Sequence, residues 1–202
     1  MHFIASCFIQ IRKAKQYILP LVNPHIQSRI YGQINISRHN LLTEIEELLE
    51  ARLSFKPAPY KWSVAQIVEH IGLAEMGIRQ IAQQTFKAPA NSARRKEINV
   101  TDEQVRQRLT NRSGKVQSPE MIKPTGSLNN IKQAIIFFTN ARNKNIEFIQ
   151  TTTEDLRNRF WQHPATGTID LYQAILIISA HCERHTAQIV EIKRTSGWPA
   201  GK

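Results

Sequence analysis

The chain has 202 residues, 41% hydrophobic and 21% charged, with 8 glycines and 9 prolines. That length and balance suit one domain with an extension and exclude the disordered, collagen-like and low-complexity classes. The formal net charge is +11, but residues 1–36 hold four basic and no acidic residues and residues 87–115 hold eight basic and three acidic, so nearly all the excess lies in a leading segment and a central connection. Charge placed this way reads as solvated loops rather than a shaped nucleic-acid groove, and no aromatic interleaving supports base stacking.

At the N-terminus the apolar stretch Phe3 to Ile11 precedes the basic residues Arg12, Lys13 and Lys15, the reverse of the order in a secretory signal. No apolar run approaches the roughly 20 residues that span a bilayer. Cys7 and Cys182 are too few for a disulfide framework and lack paired metal or redox spacing. A soluble, cytoplasmic protein without a membrane partner is the expectation.

Helical periodicity starts at Ser37, where Leu41, Leu42, Ile45, Leu48, Leu49 and Leu53 recur at three- and four-residue steps opposite Glu44, Glu46, Glu47 and Glu50. This first helix should stop before Pro57-Ala58-Pro59. The second has a full start signal: Ser63 as N-cap, Gln66 three residues on, and Trp62 placed to staple against Ile67. Its stripe of Ile67, Ile71, Ala74, Ile78 and Ile81 predicts a helix to about Phe86.

Residues 87–126 are polar and broken by Pro89, Gly114, Pro119, Pro124 and Gly126, apart from a short helix opened by Thr101 and Gln104. Periodicity resumes from Ser127 through Ile131, Ala134, Ile135, Phe138, Ala141, Phe148 and Ile149, and ends in the Thr151–Thr153 tract. After His163-Pro164-Ala165-Thr166-Gly167, Thr168 is expected to cap a fourth helix running to about Thr195, before Gly197 and Pro199. Four long helices with little β-pattern predict an all-α four-helix bundle with a long crossover between the second and third. The domain reading is an extension over residues 1–36, the bundle over 37–196 and a tail over 197–202.

On the fourth helix Leu171, Ala174, Ile178, His181, His185, Gln188 and Ile192 follow the spacing of a buried seam. Two imidazoles therefore face inward one turn apart, where they can converge on one ion. A lone inward histidine is commonly a hydrogen-bonded core residue, but two stacked polar rings in an apolar seam are costly unless their nitrogens find partners, and a transition metal supplies them. The third ligand candidate is His70, beside the stripe of the second helix; a flank position bonded to a carbonyl or water is the alternative. Three imidazoles leave positions open for water or substrate, as in catalytic sites. Zinc is the first choice, and nickel or another divalent ion fits the same nitrogens.

His181-Cys182-Glu183-Arg184-His185 is not a zincin motif, because Cys182 occupies the position where that motif places its glutamate. Glu183 lies about 200° around the helix from each histidine, which suits an ion pair, and Cys182 reads as a small packing residue. His2, His25, His39 and His163 have no partner at ligand spacing.

Three stretches resemble the DinB/YfiT-like metal-binding bundle proteins: Lys61-Trp62-Ser63-Val64-Ala65-Gln66-Ile67-Val68-Glu69-His70-Ile71, Ser118 to Gly126, and His181 to Ile189. The likeness covers about 38–196, and residues 1–36 match nothing in the family pattern. It implies a four-helix bundle with a long crossover, and a metal site whose ligands fall on His70, His181 and His185. The family includes metal-dependent hydrolases and low-molecular-weight thiol transferases, so the resemblance implies a metal that activates water or a thiol for a small-molecule substrate, and it makes a homodimer an expectation. A fold does not settle a reaction. A non-catalytic metal-binding stress scaffold uses the same ligands, and a nucleic-acid binder would use the basic segments; both stay open. Arg94, Arg95, Arg106 and Arg108 of the connection are candidates for attracting an anionic substrate.

Overall fold

The computed structural model describes residues 24–48, 50–114, 117–128 and 130–200. Phe3 to Ile11, the basic cluster at Arg12, Lys13 and Lys15, Cys7, His2 and Leu49 of the first stripe lie outside the described residues. The order is α1 (Pro24–Ile45), α2 (Glu50–Ser54), α3 (Val64–Thr85), α4 (Asp102–Thr110), α5 (Ile131–Thr151), the strands β1 (Phe160–His163) and β2 (Gly167–Asp170), and α6 (Leu171–Lys193), with short 3-10 turns in the connections. The four long helices α1, α3, α5 and α6 form the bundle: α3 packs on α5 and α6, and α1 packs on α6 and α5. The 86–130 connection carries α4 and crosses over between α3 and α5.

Two sequence expectations are corrected at the first helix. It begins at Pro24 rather than near Ser37, and Ile30 and Ile34 from its first half are buried. Pro suits a first helical turn, where its missing N–H has no partner to lose. The stripe is thin there, one isoleucine per turn, so periodicity alone does not reveal it. The helix also breaks after Ile45, and α2 resumes at Glu50.

The capping chemistry read from sequence operates at α3 and α4. Ser63 and Gln66 form a reciprocal box, as do Thr101 and Gln104. At α6 the cap is Asp170, boxed with Gln173, and not Thr168. Thr168 instead sits in β2, which pairs antiparallel with β1 in the register Trp161↔Ile169 and His163↔Gly167. This hairpin escapes a helical reading because each strand has only four residues. At its turn Gly167 adopts φ +81°, a conformation open to glycine without a Cβ clash. His163 serves the same turn, its Nδ1 accepting the N–H groups of Ala165 and Thr166 at 3.2 Å each.

The core has two apolar halves. One holds Leu41, Ile67, Ile71, Phe138, Ile189 and Ile192; the other holds Ile34, Ile78, Ile149, Ile175 and Ile178. Between them on each helix lies a buried polar residue: Ser37 on α1, Glu75 on α3, Arg142 on α5 and Ser179 on α6. Arg142 donates from Nε to both Glu75 oxygens at 2.9 and 3.0 Å, from one Nη to Glu75 Oε1 at 2.6 Å, and from the other to Ser37 Oγ at 3.0 Å and to the Ile34 carbonyl. Among the described residues, no helix is long and apolar enough to cross a membrane.

Candidate metal centre

The site sits at the end of the bundle nearest the start of α3. The Ser63 box sets where α3 begins, which puts His70 in its second turn facing α6. Trp62, just before the cap, packs among the residues around Ile67 and also tilts against the His70 ring, with centroids 4.7 Å apart. On α6, His181 and His185 are one turn apart with ring centroids separated by 4.4 Å. His70 and His185 are buried, at 3% and 7% exposure, and His181 is partly open to solvent.

The three rings meet through their Nε2 atoms. His181 Nε2 is 3.1 Å from both His70 Nε2 and His185 Nε2, and all three candidate ligand atoms lie within 4.8 Å of one another. Of the two positions open to His70, flank or interior, it occupies the interior.

The far side of two rings decides their tautomers. His70 Nδ1 lies 2.7 Å from the Ile122 carbonyl, and His185 Nδ1 lies 2.8 Å from Gln188 Oε1. The Ile122 carbonyl can only accept, and the Gln188 amide is oriented with its oxygen toward the ring, so in this arrangement both Nδ1 atoms donate and each Nε2 of a neutral ring keeps its lone pair. The single Nε2 of His181 can donate to one of these at a time. At least one inward lone pair is therefore unmet by protein hydrogens.

Protonating a ring would supply the missing hydrogen, but the site opposes it. Burial pushes the His70 pKa below its ordinary value, with the Ile122 carbonyl offsetting part of the shift. Burial and the neighbouring His185 and His70 push His181 well down. His185 is lowered to about 3, by burial first and then by His70. A divalent cation answers this donor set better than a proton does, since it accepts several lone pairs at once. The two 3.1 Å separations from His181 are close to the spacing of about 3.3 Å between two nitrogens bound tetrahedrally at about 2.0–2.1 Å from zinc.

Neighbouring residues take the roles their spacing suggests. Glu183 turns away and pairs with Arg106 across to α4 at 2.9 Å. Cys182 is buried, its thiol against the Ser37 carbonyl at 3.4 Å, and burial raises its pKa to about 11, so it packs rather than reacts. His39 is exposed and His163 is occupied in the hairpin turn. Three of the four arginines considered for substrate attraction are engaged elsewhere: Arg94 with Glu97, Arg95 with Asp170 and Arg106 with Glu183. Sequence reading misses the Ile122 carbonyl, because a backbone acceptor leaves no residue signature, and it assigns Gln188 to the seam without its bond to His185.

A model of the DinB superfamily matches residues 33–189, and the chain belongs to that superfamily. It is 26% identical over 160 residues, which is 79% of this chain and 94% of the relative, to the uncharacterized protein YuaE of Bacillus subtilis (strain 168). It also superposes on YfiT from Bacillus subtilis, described as a probable metal-dependent hydrolase with an unusual four-helix bundle topology, with a TM-score of 0.54. That match has 16% sequence identity and covers 88% of this chain and 91% of YfiT. At that identity the likeness carries the fold.

Proposed function

We propose that this DinB-superfamily chain is a metal-dependent hydrolase of a small molecule, with His70, His181 and His185 holding one divalent cation, zinc in first place and nickel in second. The observation that carries the reading is the surplus of inward lone pairs on three neutral imidazoles that share one centre. The ion, when bound, supplies Lewis acidity that lowers the pKa of a water, or of a thiol, toward neutrality.

The chain's own residues do the rest. Ile122 and Gln188 orient two of the rings through their Nδ1 hydrogens. Trp62 covers the His70 ring and keeps water from that flank, while the partly open side at His181 supports entry of substrate there. The description of YfiT as a probable metal-dependent hydrolase supports hydrolysis over a non-catalytic metal-binding scaffold.

The test is elemental analysis of protein purified without added metal, followed by titration of the metal-free chain with zinc and nickel. One equivalent is expected, and His181→Ala and His185→Ala should each abolish it; a full equivalent kept by both variants rejects the site. Loaded protein is then screened on simple esters and amides and, separately, on thiols with electrophiles. Turnover confined to the second pair of reactants would replace hydrolysis with thiol transfer.

A further inference from the structure

Glu69 precedes His70 on α3 and is 4% exposed, yet its carboxylate faces the crossover connection rather than the imidazoles. It accepts three hydrogen bonds there: from the Thr125 N–H at 3.0 Å, the Thr125 hydroxyl at 2.9 Å and the Gly126 N–H at 3.1 Å. Gly126 adopts φ +72°, which lets two consecutive amides turn toward one anion. Only Lys123 and Pro124 separate this latch from Ile122, whose carbonyl takes the His70 Nδ1 hydrogen. Pro124 has a restricted φ and also restricts Lys123, so the link is stiff. The Ile122 side chain rests on α3 as well, its Cγ2 3.9 Å from where a Cβ on Gly77 would lie.

Two adjacent residues of one helix thus grip one short stretch of the connection. We propose that Glu69 is a positioning residue for the three-histidine site: by pinning Thr125 and Gly126 it holds the Ile122 carbonyl on His70 Nδ1, and so keeps the His70 Nε2 lone pair turned toward His181 and His185. The consequence for metal affinity rests on the metal reading above; the effect on the His70 tautomer does not. A carboxylate suits this latch because it offers acceptors only, to three donors. Glu69→Gln keeps the shape but swaps one oxygen for an NH₂ group, which sets donor against donor.

The experiment uses the full chain, with ¹⁵N-resolved imidazole spectra recorded before metal is added, then zinc titration. In the unmodified chain His70 should be the Nδ1–H tautomer. In Glu69→Gln the Nε2–H form of His70 should rise, with His185 unchanged because Gln188 still holds it, and the zinc Kd should weaken by about 10-fold or more. Gly126→Ala disturbs the same latch from the connection side, through a positive φ that alanine resists, and should move both readouts in the same direction by less. His70 retaining the Nδ1–H tautomer in both variants would overturn the proposal. So would a zinc Kd within about twofold of the unmodified chain in both, when second-sphere losses run at ten- to a hundredfold. An unmodified chain that takes up no zinc removes the metal reading, and the tautomer populations still decide the role of Glu69.

Discussion

The bundle buries two polar clusters, and they differ in whether their hydrogens balance. In the middle layer, Arg142 has donors and Glu75, Ser37 and the Ile34 carbonyl have acceptors, and Asn145 gives two further bonds to Glu75, through its carbonyl and its carboxylate. Burial pushes the Glu75 carboxyl up, against the pull of Arg142, and the two side chains are 1% and 0% exposed. At the histidine cluster the same count fails: three nitrogens converge with too few hydrogens between them. A closed network keeps the bundle in register; the unbalanced one, buried at His70 and His185 and partly open at His181, leaves lone pairs that a cation can accept.

The largest effect should come from unbalancing the closed network. Arg142→Ala leaves the Glu75 carboxylate buried alone and should cost about 3–5 kcal/mol in denaturant unfolding. The paired change Arg142→Met with Glu75→Leu should recover most of that loss, because it removes both charges from the apolar interior. If Arg142→Ala unfolds like the unmodified chain, the layer is not the strut the contrast makes it.

Next in size is metal removal, which leaves the middle layer intact. With free zinc at about a hundred times Kd, the loaded chain should be about 2.7 kcal/mol more stable than the chelated one. His185→Ala should show no such difference in thermal scans with and without chelator. A smaller change is expected for Gln188→Leu, which releases the His185 ring: zinc affinity should fall about 10-fold by calorimetry, with unfolding of the metal-free chain little altered.

The smallest effect at neutral pH concerns protons. The three histidines have pKa values lowered in the fold from the ordinary 6.5, so below that value the unfolded chain takes up protons that the folded chain refuses. Stability of the metal-free protein should be level above about pH 6.5 and fall as pH drops toward the folded-state values, about 3 for His185. His185→Ala should lose stability less steeply over that window. A metal-free chain whose stability rises on acidification from pH 6.5 to 5 would contradict the neutral cluster.

Much of this arrangement is legible along the chain because it is local. Ser63 with Gln66, and Thr101 with Gln104, announce helix starts through bonds three residues long. His181 and His185 declare a shared face by a spacing of four. The hairpin and the early start of α1 were hidden because four-residue strands and a one-isoleucine-per-turn stripe fall below what periodicity resolves. Arg142 and Glu75 are hidden for a different reason: each looks like a surface charge until its partner, 67 positions away, is beside it.

Helix content, the caps, the crossover between α3 and α5 and the inward face of α6 follow from residues a few positions apart, where propensity, capping and spacing act without knowledge of the rest of the chain. The meeting of His70 with His181, the Ile122 carbonyl that sets its tautomer, the Glu69 latch and the Arg142 layer were decided only in three dimensions. Each depends on groups more than 50 positions apart, and packing brings such groups to bonding distance while periodicity carries no term for them.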